Sequence, residues 1–97
     1  MEPDIKEFSI SDMYLASAVI AYKKPYTRID RENPKRLKFI FEDGPMKVYI
    51  LRDGSISVLE FLYLDQIQAA YTSNTLMFPP GFPDAIRRVK SAIHSEK

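Results

Sequence analysis

Arg36-Leu37-Lys38-Phe39-Ile40-Phe41-Glu42-Asp43-Gly44-Pro45 decides how the chain folds. Leu37, Phe39 and Phe41 alternate with Arg36, Lys38 and Ile40. Successive side chains of a strand point to opposite faces, so this run predicts a strand whose apolar face is Leu37, Phe39 and Phe41. Glu42 to Pro45 ends it as a turn. Upstream, Tyr26 to Arg31 reads as a second strand. Glu32-Asn33-Pro34-Lys35 joins the two, since Pro34 fixes φ and Asn33 tolerates unusual backbone angles. An antiparallel hairpin is expected, and its apolar face needs a cover.

Toward the N-terminus, Phe8 and Ile10 alternate with polar residues and predict a short strand or extended lead-in. Residues 1–7 are polar and expected to fray. Ser11 suits a helix N-cap, and Asp12 suits the positive end of the helix dipole. Leu15, Val19 and Tyr22 recur at helical spacing, with Ala16, Ala18 and Ile20 around them. This predicts a helix of about three turns with one broad apolar face. Lys23 and Lys24 complement its C-terminus, and Pro25 stops it.

Toward the C-terminus, Lys47 to Leu51 is a third strand. Asp53-Gly54 is a two-residue hairpin signal, with Ser55 to Ser57 pairing briefly beyond it. Ser57-Val58-Leu59-Glu60 then matches a capping box. Leu59, Leu62 or Tyr63, Ile67 and Ala70 follow at helical spacing, so a helix from Ser57 to about Thr72 is preferred. The competing reading continues the strand through Leu62, because residues 56–64 are very apolar. Ser73-Asn74 closes the helix, and Leu76 to Phe78 is short and extended. Residues 79–83 form a proline-stiffened connector. The last helix starts near Pro83 and Asp84, buries Phe82, Ile86, Val89 and Ile93, and leaves Arg87, Arg88, Lys90 and Ser91 outside.

The expected fold class is α+β: a small antiparallel sheet of about three strands packed against two or three helices. The 97 residues have the size of a single domain. The hydrophobic fraction is 45%, with six Tyr and six Phe, which argues for a packed core rather than disorder. Absence of Cys excludes disulfides and thiolate metal sites. No membrane span is expected, because no run of about 18 apolar residues occurs. The acidic start, Met1-Glu2-Pro3-Asp4, is unlike a secretory signal, so a cytoplasmic protein is expected.

Several of these stretches also carry a resemblance. Ser11-Asp12-Met13-Tyr14-Leu15-Ala16-Ser17, Ile29-Asp30-Arg31-Glu32-Asn33-Pro34-Lys35-Arg36 and Phe39-Ile40-Phe41-Glu42-Asp43 look like a small family of uncharacterised proteins. That family is the DUF5659 type of domain of unknown function, met in bacteria, archaea and phages or prophages. Ala70-Tyr71 through Val89-Lys90 is similar to the family's final Tyr, short β segment and basic helix. Met46 to Leu59 stands as an insertion relative to its shorter members. The resemblance implies a phage or mobile-element setting, and no activity or site residue.

Chemistry has little to build on. His94 is the sole histidine and lies near a helix end, where a cation helps the dipole. The carboxylates do not converge: Glu42 and Asp43 point apart on a strand end, Asp53 belongs to a turn, and Glu60 is explained by the capping box. Gly44, Gly54 and Gly81 stand alone, so no phosphate-cradling loop exists. Neither a cofactor nor a metal is expected, and the chain does not read as an enzyme.

Charge offers more. Net charge is +1, yet seven basic residues lie between Lys23 and Lys38 against two acids, and four lie from Arg87 to Lys97 against one. The leading expectation is a small binding protein that contacts nucleic acid without sequence specificity through Lys23, Lys24, Arg28, Lys35, Arg36 and Lys38. Arg87, Arg88 and Lys90 extend that face if the last helix packs beside the hairpin, and Tyr26 could stack on a single strand. The plainer account is a solvated edge, where Lys and Arg discourage aggregation. The alternative function is a protein-interaction module or homodimer. It would use a sheet edge or the apolar, proline-rich segment 76–83, with Leu76, Phe78, Pro79, Pro80 and Phe82 as contacts. Packed inward, the same segment would simply cap the core. Tyr14, Tyr22, Tyr63 and Tyr71 are expected at the core edge with hydroxyls in water.

Overall fold

The computed structural model describes residues 6–53 and 56–94. Along the chain run β1 (Glu7–Ile10), α1 (Met13–Ala21), β2 (Arg28–Asp30), β3 (Lys38–Glu42), β4 (Met46–Arg52), β5 (Ile56–Leu62), α2 (Leu64–Thr72) and α3 (Phe82–His94). They form an α+β fold with two small antiparallel sheets, one ordered β1-β3-β2 and the other β4-β5.

The hairpin forms as its alternation predicts, with Arg28 opposite Ile40, Ile29 opposite Phe39 and Asp30 opposite Lys38. It is not the whole sheet, however. β1 pairs along the other edge of β3, Glu7 to Glu42 through Ile10 to Phe39. Glu7, expected in a frayed end, is thus a strand residue, while residues 1–5 lie outside the described part. Because β3 is central, it is buried on both faces: Phe39 and Phe41 on one, Ile40 on the other. Arg28 and Ser9 flank Ile40 in register, and the Arg28–Glu7 ion pair (3.0 Å) crosses the strand on that face. Leu37 precedes the strand and is half-buried.

α1 departs from the expected single apolar face. Leu15, Ala16, Ser17, Ala18 and Val19 are all buried, and five consecutive helical positions cover every side. A helix apolar all round belongs in the core. Ala16 and Ala18 let neighbours approach closely, and the Ser17 hydroxyl is satisfied by donating to the Met13 carbonyl at 2.7 Å. Asp12, not Ser11, is the N-cap, accepting from the Tyr14 and Leu15 N–H groups at 2.8 and 3.1 Å. At the other end the Lys23 N–H donates to Ile20 and the Lys24 N–H to Val19, closing a Schellman turn with Lys23 at φ 79°. α2 closes the same way through Asn74 at φ 64°, whose N–H reaches Tyr71 while the Thr75 N–H reaches Ala70.

The preferred helix from Ser57 is wrong over its first part. β4 and β5 pair over seven positions, from Met46 opposite Leu62 to Arg52 opposite Ile56. That register leaves three residues in the connection, where Asp53-Gly54 predicted two; Gly54 and Ser55 lie outside the described residues. The Ser57–Glu60 capping box therefore does not form. α2 begins at Leu64 instead, where the Tyr63 N–H donates to the Gln66 side chain (2.9 Å) and the Leu64 N–H to Asp43 Oδ1 (3.2 Å). Seven cross-strand pairs outweigh one local cap, worth only about 1 kcal/mol.

Residues 75–77 run along the far edge of β4. The Leu51 N–H donates to Thr75 (2.7 Å), the Met77 N–H donates to Tyr49 (2.9 Å), and Leu76 bridges Ile50. One core joins both sheets: Phe39 and Phe41 from the first, Val48 and Ile50 from the second, with α1, Leu64, Ile67 and Val89 between and around them. Fully burying each such large side chain is worth about 1.5–3 kcal/mol.

Candidate functional site

The basic residues proposed from sequence do not share one fate. Lys23 is exposed at the end of α1 and Lys24 is half-buried beside it. Arg28 is held by Glu7, and Arg87 by Asp84 at 3.1 Å. Lys38 stands opposite Asp30. The outer face of the β1-β3-β2 sheet therefore interleaves Arg28 and Lys38 with Glu7, Asp30 and Glu42. Lys35 and Arg36 are exposed in the β2–β3 turn, and Arg88 and Lys90 on α3. Tyr26 is half-buried, its ring meeting Phe39 edge-to-face with centroids 5.1 Å apart. Arg31, part of the same charge run, points at α3 and donates to the carbonyls of Ala92 (2.9 Å) and Ile93 (3.4 Å).

The apolar segment also divides. Leu76 is buried and cannot meet a partner. Phe82 is half-buried against the core. Phe78 and Pro80 are exposed and Pro79 is half-buried. Phe78 stacks on Phe82, centroids 4.5 Å apart, so its ring is held in place while one face stays open.

The open part of Phe78 belongs to a larger surface. Register places Lys47, Tyr49 and Leu51 of β4 beside Ser57, Leu59 and Phe61 of β5 on the outer face of the two-stranded ribbon. Phe61 is 63% exposed, and Tyr49, Leu59 and Phe78 are each nearly half exposed. Tyr22, Tyr49, Leu59, Met77, Phe78 and Pro79 are among the residues lining a groove of about 590 Å³ between ribbon, α1 and the 77–80 segment. Lys23 and Lys47 stand at it, and among the described residues no carboxylate lines it. Lys47 also lies 5.8 Å from the Phe61 ring centroid, a cation–π contact. The groove is pinned at its base. The Tyr22 hydroxyl donates to the Met77 carbonyl at 2.6 Å and accepts from the Tyr49 N–H at 3.2 Å. It is thus not in water, and burial pushes its phenol above the ordinary tyrosine range.

β5 is the open edge of this ribbon. It has no Gly, Pro, Lys or Arg, and its one charge, Glu60, is held by the guanidinium of Arg52. Ile56 and Val58 are exposed as well. The edges of the other sheet are shorter and charged: three residues in β2 with Arg28 and Asp30, four in β1 with Glu7. Short length and charge are the usual devices that blunt an edge; β5 is longer than β1 or β2, and its one charge is already paired.

Other chemistry is sparse. His94 is exposed at the end of α3. Asp12 caps α1 and also accepts from the Tyr71 hydroxyl at 3.0 Å, and Asp43 caps α2. Among the described residues no group of three or more His, Cys, Asp or Glu gathers in one place, and no helix is long and apolar enough to cross a membrane.

Sequence reasoning missed Ile56, Val58, Leu59 and Phe61 as surface residues. The signal was present in the strand reading of residues 56–64, whose apolar positions fall on both faces with a single charge between them. Comparison of the chain with protein-family models, with curated proteins and with solved structures found no match.

Proposed function

We propose that the chain is a non-enzymatic, cytoplasmic protein-interaction module that presents the β4–β5 ribbon to a protein partner. One observation carries this: a seven-residue apolar strand edge lies open beside an apolar groove walled by Phe78. Apolar patches of this kind are uncommon on isolated proteins, and covering half-exposed Leu59 and Phe61 would yield about 1 kcal/mol or more each. An added strand would satisfy the edge's backbone groups, while the groove would take its side chains. The test compares wild type with Phe61→Glu as baits. A partner, whether another protein or a differently tagged copy of this chain, kept by wild type and lost by the folded variant supports the module, and identical capture by both counts against it.

A second reading has its own observation. Lys35, Arg36, Arg88 and Lys90 are exposed and form no ion pair among the described residues. They would serve nonspecific contact with nucleic-acid phosphates, as the charge run predicts. Fluorescence anisotropy of labelled DNA and RNA at several salt concentrations tests it. Log affinity that falls linearly with log salt, and is lower throughout in Arg36→Ala/Arg88→Ala, supports it. No binding at low salt removes it.

A further inference from the structure

We infer that the partner of β5 is β5 of a second copy of this chain, paired antiparallel about a two-fold axis at Leu59. The inference rests on the protein-interaction reading and names its partner. β5 spans Ile56–Leu62, and Leu59 is its middle residue. An axis there pairs all seven residues: Ile56 with Leu62, Ser57 with Phe61, Val58 with Glu60, and Leu59 with itself. A C₂ interface requires such self-complementarity.

Charge favours this arrangement. Glu60 is the only charged residue of the strand, and Arg52 on β4 already neutralises it. With the axis at Leu59, Glu60 faces Val58 of the other copy. Moving the axis to Glu60 would oppose two carboxylates, which destabilises a sheet. Lys23 and Lys47 stand back at the groove, and along β5 itself Glu60 is the only charge and is already paired, so an identical edge meets no unpaired charge along the seam.

Shape agrees on the outer face. The central row of the resulting four-stranded sheet reads Tyr49, Leu59, Leu59, Tyr49. The rows beside it set the 63%-exposed Phe61 against the small Ser57 of the other copy. Ser57 and Leu59 both line the groove that Phe78 walls. Each copy would therefore bring its Phe61 to the rim of the other's groove. The pairing accounts for the bare edge, for Phe61 and for the groove together.

The absence of cysteine makes the test clean. Leu59→Cys places two thiols on the axis, within reach of oxidation or a short thiol-reactive linker. Ile56→Cys places them about 20 Å apart at 3.4 Å per residue, beyond such a linker. The expected result is a reversible covalent dimer from Leu59→Cys and little from Ile56→Cys. Sedimentation of wild type at micromolar concentrations should give twice the 11.2 kDa chain mass. Leu59→Lys, which opposes two ammonium groups across the axis, should sediment as a folded monomer. Equal cross-linking at both positions, or a wild type that stays monomeric, would overturn the self-pairing. The comparison of wild-type and Phe61→Glu baits decides separately whether the ribbon binds another protein.

Discussion

Tyr22 shows how much one hydroxyl can organise. It ties the end of α1 to Met77 and to the Tyr49 N–H, joining helix, ribbon and connector at the base of the groove. Tyr22→Phe should cost about 1–2 kcal/mol, because it removes two hydrogen bonds and leaves both backbone groups to find water. Urea unfolding measures this. The same residue sets a pH dependence. Its folded pKa lies above the unfolded value because burial disfavours the phenolate. The unfolded chain therefore loses this proton first. The stability is complete below about pH 10, the ordinary tyrosine value, and is lost as pH rises toward the folded pKa. Tyr71 is shifted the same way by burial and then by its bond to Asp12. The melting temperature of wild type should fall more steeply above pH 10 than that of Tyr22→Phe; parallel curves would contradict it. Lys23 presents the opposite case, a non-glycine residue held at φ 79°. A side chain in that region costs about 1–2 kcal/mol, part of which glycine returns in its own chain entropy. Lys23→Gly should stabilise the fold by up to about 1 kcal/mol by the same assay, even though it removes an exposed charge.

At the scale of elements, what the chain made legible was local. Alternation over Leu37 to Phe41 located β3, and turn chemistry at Asn33-Pro34 located the hairpin. Helical spacing from Phe82 to Ile93 located α3, with Ala85 and Val89 buried on its inner stripe. Pro25 and Asn74 marked true helix ends. What failed were competitions between local and distant partners. Ser57 and Glu60 have capping-box spacing, but β4 offers β5 seven paired positions and wins. Ser11 and Asp12 both suit an N-cap, and only backbone geometry picks Asp12. α1 looked amphipathic because its small residues were counted as filling, whereas they are what allows it to be surrounded. The groove was half legible: Phe78 to Pro80 stood out as apolar and stiff, but its other wall depended on β5 being a strand. Ser57 decides between these accounts experimentally. As an N-cap, Ser57→Val would cost about 0.5–2 kcal/mol. On the outer face of β5, opposite Leu51, the β-branched residue should instead leave stability unchanged or raise it by up to about 1 kcal/mol. A clear loss in thermal unfolding would argue for the helix.

The whole molecule is flat, 45 × 39 × 20 Å, so few layers separate any element from solvent and long-range polar ties matter. Asp43 caps α2 from the β3–β4 turn, Asp12 meets Tyr71, and Arg31 reaches from the end of β2 to the end of α3. These ties join residues far apart in sequence, which is why no local pattern revealed them. Arg31 counted as one of seven charges in a basic run, indistinguishable there from Arg36. In the fold the two do different things. Arg36 is exposed on a turn, while half-buried Arg31 spends its guanidinium on the carbonyls of Ala92 and Ile93 in the last turn of α3. A cation there meets the negative end of the helix dipole. Arg31→Ala should therefore cost about 1–2 kcal/mol, below the full value of a charged hydrogen bond because the site is partly open to water. In a domain this size that is a fall of about 4–8 °C in melting temperature per kcal/mol. Arg31→Lys should recover little, since one ammonium on a flexible stem cannot span two carbonyls as a planar fork does. Arg36→Ala should stay within about 0.5 kcal/mol of wild type, as exposed substitutions do. Thermal melts of the three variants side by side settle the matter. If Arg31→Ala melts with Arg36→Ala, α3 is held by its apolar stripe alone.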